Sequence, residues 1–447
     1  MKTRTLLAIG LLGLTGAGAG WAGIPIERWT QASGAQVNLV SSRSIPMVDV
    51  QLDFDAGDRR DPASQAGLAS ATAGMIGKGV LAAGSEVALD ENALGEAWAD
   101  LGASFSAHAG SDRMTFALRS LSYPDLLRRA TALAARQLAH PALDASIWAR
   151  EREGLKAALR ESNTRPATVA GRAFAQAVYG DHPYGYDTTE ESLARIEVPD
   201  MRAFHRMHIQ ACRAKVTVVG DVDRQQADQL VRQLLEPLVL QSSASGCGAL
   251  PGVREVQPLK QALERRIAFP SAQAHVLIGQ PGYPRNGPDH FALTVGNYIL
   301  GGGGFVSRLT QEVREKRGLS YSVYSAFAPG LHAGAFTIGL ETRPDQAKQA
   351  LDVARSVLNE FVTQGPTPEE LKDAQDHLIG GFALLIDSNR KLLGNVANMA
   401  WNDLPLDYLD TWTQRVSAVT VADIRRAFAR VLQPERQVTV VLGEATP

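Results

Sequence analysis

The sequence predicts an α+β protein made of two tandem copies of one unit, each an α/β sandwich with helices over a largely antiparallel sheet. Strand and helix patterns alternate along the chain. The strand patterns are of the half-buried kind. And the second half repeats the first in order: VPDMRAFHRMHIQACRAKVTVVGD begins at Val198 and VADIRRAFARVLQPERQVTVVLGE at Val421. Both run helix, short loop, then a V-T-V-V strand, at an offset of about 222 residues.

In chain order, Lys2 and Arg4 precede an apolar run, Leu6 to Leu14, and a small-residue stretch that ends at Trp21-Ala22. This is the pattern of a secretory signal cleaved near Ala22, and the run is short for a bilayer span. No cysteine follows it, so a lipid anchor is not expected. Val48, Val50, Leu52 and Phe54 alternate with Asp49, Gln51, Asp53 and Asp55, predicting a strand with one face wet or lining a cavity. The turn Gly57 to Pro62 follows, then a helix from near Gln65. Met114, Phe116 and Leu118 mark a second strand. Leu127, Ala130, Ala134 and Leu138 predict one helix face, and Trp148, Leu155 and Leu159 another.

In the second half, the helix from near His290, the strand Phe336, Ile338 and Leu340, and the helix after Pro366 repeat the Gln65, Met114 and Pro141 elements. The Ser/Gly/Pro-rich stretch from about Gln241 to Pro258 reads as a linker. The chain thus divides into a signal at 1–22, a first half at 23–238, a linker at 239–262 and a second half at 263–447.

Composition narrows the function. A net charge of -2 and the lack of a long basic run argue against nucleic acid as a partner. No later stretch is apolar enough for stable membrane insertion. The two cysteines, Cys212 and Cys247, could form one bridge in an oxidising compartment or stay free; spacing leaves both open.

The segment NYILGGGGFVSRLTQEVREKRGLSYSVYS, Asn297 to Ser325, resembles the second-half signature of the pitrilysin/insulinase family of zinc peptidases, which includes mitochondrial processing peptidases and bacterial periplasmic members. AGDRRDPASQAGLAS, DHPYGYDTTEESL and FHRMHI fit the same family, and the likeness runs over nearly the whole chain after the signal. In active members the first long helix carries H-x-x-E-H: two histidines one turn apart bind zinc, the glutamate serves as general base, and a later glutamate is the third ligand. The matching stretch here is Ser70-Ala71-Thr72-Ala73-Gly74. Ser70 and Gly74 stand for the histidines and Ala73 for the glutamate. Only Glu151 remains, at the third-ligand position, as an inward relic or as the ion-pair partner of Arg150, Arg152 or another base. No metal or other cofactor is expected in this chain.

The second-half signature is whole. Val306, Leu309 and Val313 predict one helix face ending near Gly318. The resemblance implies that Arg314 and Tyr321 hold substrate backbone and stabilise an oxyanion at a partner's zinc. Periodicity alone allows Arg314, Lys316 and Arg317 to be ordinary helix-terminal cations. Gly302, Gly303 and Gly304 read as a loop that lets a peptide pass closely, or as a hinge. His205 and His208 read as structural, and His182-Pro183-Tyr184 as a turn. The expected function is the non-zinc subunit of a heterodimeric periplasmic zinc endopeptidase, with zinc and general base supplied by a zinc-bearing homologous partner and peptides as substrates. The alternative is a catalytically inactive scaffold or peptide-binding protein of the same fold.

Overall fold

The computed structural model describes residues 23–241 and 247–443; the segment read as an export signal lies outside them. The strands are β1 (Glu27–Thr30), β2 (Gln36–Ser41), β3 (Met47–Phe54), β4 (Gly79–Val80), β5 (Leu89–Asp90), β6 (Ser104–Ala109), β7 (Met114–Leu121) and β8 (Lys215–Gly220), then β9 (Leu263–Ile267), β10 (Ala274–Pro281), β11 (Ser322–Phe327), β12 (Ala335–Thr342) and β13 (Val438–Leu442). The first-half helices are α1 (Leu68–Met75), α2 (Glu91–Asp100), α3 (Pro124–Ala139), α4 (Ala145–Ser162), α5 (Pro166–Tyr179), α6 (Glu190–Ala194), α7 (Val198–His208) and α8 (Arg224–Gln241). Later come α9 (His290–Asn297), α10 (Ala347–Gln364), α11 (Pro368–Gly381), α12 (Asn389–Trp401), α13 (Tyr408–Ser417) and α14 (Val421–Val431).

The repeat seen in the sequence is a repeat of topology. The first sheet has the order β1-β2-β8-β3-β7-β6 and the second β9-β13-β10-β12-β11. After the extra strand β1, each strand of one sheet has a counterpart in the other. Each sheet has one parallel pair, β2 with β8 and β9 with β13, and is otherwise antiparallel. In each half a helix feeds an interior strand: α7 leads to β8 and α14 to β13.

One face of each sheet packs on its own helices. The other is covered by a helix from the opposite half. On α5, the stripe Ala170, Phe174, Ala177 and Val178 packs with Val438, Val440 and Leu442 of β13. On α12, Leu393, Val396 and Met399 pack with Val40 and Val219 of the first sheet. This exchange corrects the expectation of a wet face on β3. Val48, Val50, Leu52 and Phe54 are fully buried, but Asp49 and Asp53 are also only 4% and 1% exposed. Asp53 is satisfied by Arg113 Nη1 at 3.1 Å, Thr115 Oγ1 at 2.6 Å and Gln51. Burial pushes its carboxyl up against the pull of Arg113. Lys215 Nζ donates to the carbonyls of Ala400 (2.9 Å) and Trp401 (3.3 Å), where a cation suits the helix C-terminus.

The seam between halves is also pinned elsewhere. Asp112 accepts from Tyr184 Oη at 2.5 Å and from the Leu331 amide at 2.9 Å. Tyr179 Oη accepts from the Ala335 amide at 2.8 Å. The predicted linker is helical through Gln241, and residues 247–262 carry no helix or strand. Its course is held. Cys212 and Cys247 are bridged, which settles the question the spacing left open. Arg213 donates to the Gly248 carbonyl, His182 Nε2 bonds the Arg254 carbonyl, and Glu255 accepts from the Ala333 amide.

Candidate functional site

In the first half, α1 carries the stretch that matches H-x-x-E-H. Asp61 accepts from the Gly67 amide (2.8 Å) and the Ala69 amide (2.9 Å) at its start, a cap that the sequence reading did not assign. Ser70 Oγ donates to Asp58 at 2.9 Å, and Ala73 is buried. Nothing lies within 4 Å of where a Gly74 side chain would begin. A hydroxyl turned to a carboxylate, a methyl and a hydrogen do not fit a zinc ion. Among the described residues no group of three His, Cys, Asp or Glu side chains is placed to hold a metal.

Glu151 is not an unpaired relic. It meets Arg150 Nη2 at 2.8 Å and Lys78 Nζ at 3.3 Å. Glu91 meets the same two cations, each at 2.7 Å. The four side chains close an alternating ring of charge. Arg150's hydrogen bond, with Lys78 behind it, holds the Glu151 carboxyl below the usual range. Leu155, expected to share an apolar face with it, is 41% exposed, because α4 sends only Trp148 deep into the core.

His205 and His208 do not form a metal pair. The ring of His205 bonds the Leu138 carbonyl at 2.9 Å, and that of His208 the Asp55 carbonyl at 3.1 Å. Burial pushes both imidazoles down to about 4, so they stay neutral. His182 caps the turn over Pro183–Gly185 through the Tyr184 amide.

In the second half, α9 passes into a π-helical turn, Tyr298–Gly302, that brings the glycines close to the chain itself. A Cβ on Gly301 would lie 2.4 Å from the Ser325 nitrogen, and one on Gly303 2.7 Å from the Tyr298 carbonyl. On Gly302 it would lie 2.8 Å from Asn297 Nδ2. Gly304 differs: its φ is +61° and the space around it is open. Next come Phe305 and Val306, then a second π-helical turn, Thr310–Glu315. Leu309 and Val313 are buried as expected. Val306 is not: it is 69% exposed, since it lies in a separate short turn before the helix begins.

Arg314 and Tyr321 are brought together. The guanidinium carbon lies 4.5 Å from the Tyr321 ring centre and 4.7 Å from that of Phe305. Lys316 and Arg317 behave as the ordinary cations of a helix end, both paired with Glu312. Arg314 meets only Glu315, through Nε at 3.3 Å, and its terminal amino groups make no hydrogen bond among the described residues. Tyr321 is 80% exposed. The sequence reading missed Phe305; an aromatic residue set between a glycine run and the Arg314 helix was the available signal. The site thus presents a guanidinium beside a phenol at the surface. Both are donors suited to developing negative charge.

Comparisons with known proteins bear on the family and the fold. Residues 195–378 match the family described as Peptidase M16 inactive domain. A crystal structure of a peptidase M16 inactive domain from Pseudomonas fluorescens is 32% identical, with a TM-score of 0.87 over 94% of this chain and 98% of that one. An uncharacterized zinc protease of Streptomyces coelicolor is 30% identical over 292 residues, 62% of this chain and 61% of that protein. A non-peptidase homolog of Helicobacter pylori is 25% identical over 244 residues, 53% of each. The chain therefore spans about three fifths of the length of the first curated relatives it matches. With its fold, its sequence identity and its altered motif in accord, the chain belongs to the M16 peptidases, the pitrilysin/insulinase family, as a member of the inactive, non-zinc type.

Proposed function

We propose that this chain is the non-zinc subunit of a heterodimeric zinc endopeptidase that cleaves extended peptides in the periplasm. One observation carries the reading: Arg314 is held beside Tyr321 at the surface with its terminal amino groups uncommitted, in a chain whose own motif has no ligands. A partner with an intact H-x-x-E-H would contribute the metal, its activated water and the general base. On this side, Arg314 binds the substrate backbone and offers a permanent charge, and Tyr321 donates its hydroxyl where the oxyanion develops. The periplasmic assignment rests on the Lys2/Arg4 and Leu6–Leu14 pattern, and a mature N-terminus after Ala22 in the exported protein would support it.

The test is to purify the chain with an H-x-x-E-H homologue from the same genome. A stable complex that hydrolyses unfolded peptides, with each chain inactive alone, is the expected result. Zinc-dependent hydrolysis by this chain alone overturns the reading. Assembly without any gain in hydrolysis points instead to the scaffold or peptide-binding role.

A further inference from the structure

We infer that Phe305 is a positioning residue: mounted on the tip of the glycine run, it holds the Arg314 guanidinium against Tyr321. The inference rests on the reading of Arg314 as the group offered to a partner's site, and gives the glycine run a task within it.

An arginine whose head reaches the surface normally samples many rotamers, and fixing it costs entropy; the Arg314 side chain is 27% exposed. Here two ring faces enclose it, at 4.7 Å and 4.5 Å from the guanidinium carbon. Glu315 holds only its Nε, at 3.3 Å, and Glu312 is occupied by Lys316 and Arg317. Phe305 is 64% exposed, so its ring does not serve the core. Its backbone is nevertheless fixed. Gln311 Nε2 donates to the Phe305 carbonyl at 2.7 Å, and Ser307 Oγ to the Gly304 carbonyl at 2.7 Å. Gly304 makes the turn with a φ of +61°, a conformation that glycine adopts without strain. Gly301, Gly302 and Gly303 have no room for a Cβ because the chain lies against itself there. The run is therefore a compact mount anchored to the helix that bears Arg314.

The experiment compares Phe305→Leu, which removes the ring, with Phe305→Tyr, which keeps it. The first readout is the Arg314 side-chain NMR signal of the whole chain alone. In Phe305→Leu the ring-current shift of the Arg314 δ-methylene falls, and Nε–H exchange with water rises about two- to five-fold, as expected for one exposed cation–π contact. Phe305→Tyr retains both. The second readout is peptide turnover in the complex with the zinc-bearing homologue. Phe305→Leu lowers it by about the same two- to five-fold factor, Phe305→Tyr restores it, and Phe305→Leu adds no loss to Arg314→Ala. Unchanged Arg314 signals in Phe305→Leu, or no rescue by Phe305→Tyr, overturn the inference. If no mixture is active, the subunit reading fails, while the NMR comparison still decides the role of Phe305.

Discussion

The two halves share one strand order, yet they treat equivalent ground in opposite ways. At the first-half locus every charged group is spent: Lys78, Glu91, Arg150 and Glu151 close a ring, and Ser70 is tied to Asp58. At the second-half locus the charge is displayed. Arg314 is clamped between Phe305 and Tyr321 and its terminal amino groups are left for something else. A fold that had lost its function evenly would show no such contrast. Charge neutralised in a closed ring has little left to offer a ligand, whereas a guanidinium paired through Nε alone keeps donors free for one.

The largest effect should come from the displayed charge. In the active complex, Arg314→Ala should lower turnover by about 10²–10³-fold, the loss typical of one oxyanion donor, without preventing assembly. Steady-state kinetics with a parallel sizing run checks both. The second prediction concerns the platform beneath the contrast. Arg113→Ala would leave Asp53 buried without its charge partner and should destabilise the chain by about 3 kcal/mol in urea titration. Thr115 and Gln51 keep the cost toward the low end.

A smaller effect separates the loci by pH. His205 lies on α7, which packs against α1 of the first-half locus. Burial holds it neutral down to about 4, against an ordinary value of 6.5. The unfolded chain takes up this proton below 6.5 and the native chain refuses it until about 4. Stability is therefore full above 6.5 and falls as pH drops through that window, by about 2 kcal/mol at pH 5. His205→Gln should remove about half of the drop that it shares with His208, in urea midpoints measured at pH 7 and pH 5. The smallest effect should come from the spent charge. Glu151→Gln should cost less than about 1 kcal/mol, because the ring is partly exposed, and should leave turnover of the complex unchanged. A large loss of activity there would break the comparison.

Much of this contrast was legible from residues alone. The pairing of the Val198 and Val421 segments carried the repeat, since order and offset survive when identities drift. The altered motif was plain at Ser70, Ala73 and Gly74, because zinc tolerates few donors. The helix exchange was not legible. The stripe on α5 shows that a face is buried, but periodicity is blind to which sheet buries it. Asp49 and Asp53 were read as wet for the same reason, their cover being α12 from the other half of the chain. Phe305 escaped because an exposed aromatic beside glycines carries no period. The Cys212–Cys247 bridge depends on the path of the linker, which composition does not describe.

The most direct test of the account is a titration: peptide hydrolysis at a fixed concentration of a zinc-bearing homologue, with increasing amounts of this chain. The account predicts a rate that rises and saturates at equimolar chains, and an Arg314→Ala titration that saturates at the same ratio with a plateau about 10²-fold lower. A rate indifferent to the added chain, or equal plateaus for the two forms, would contradict it.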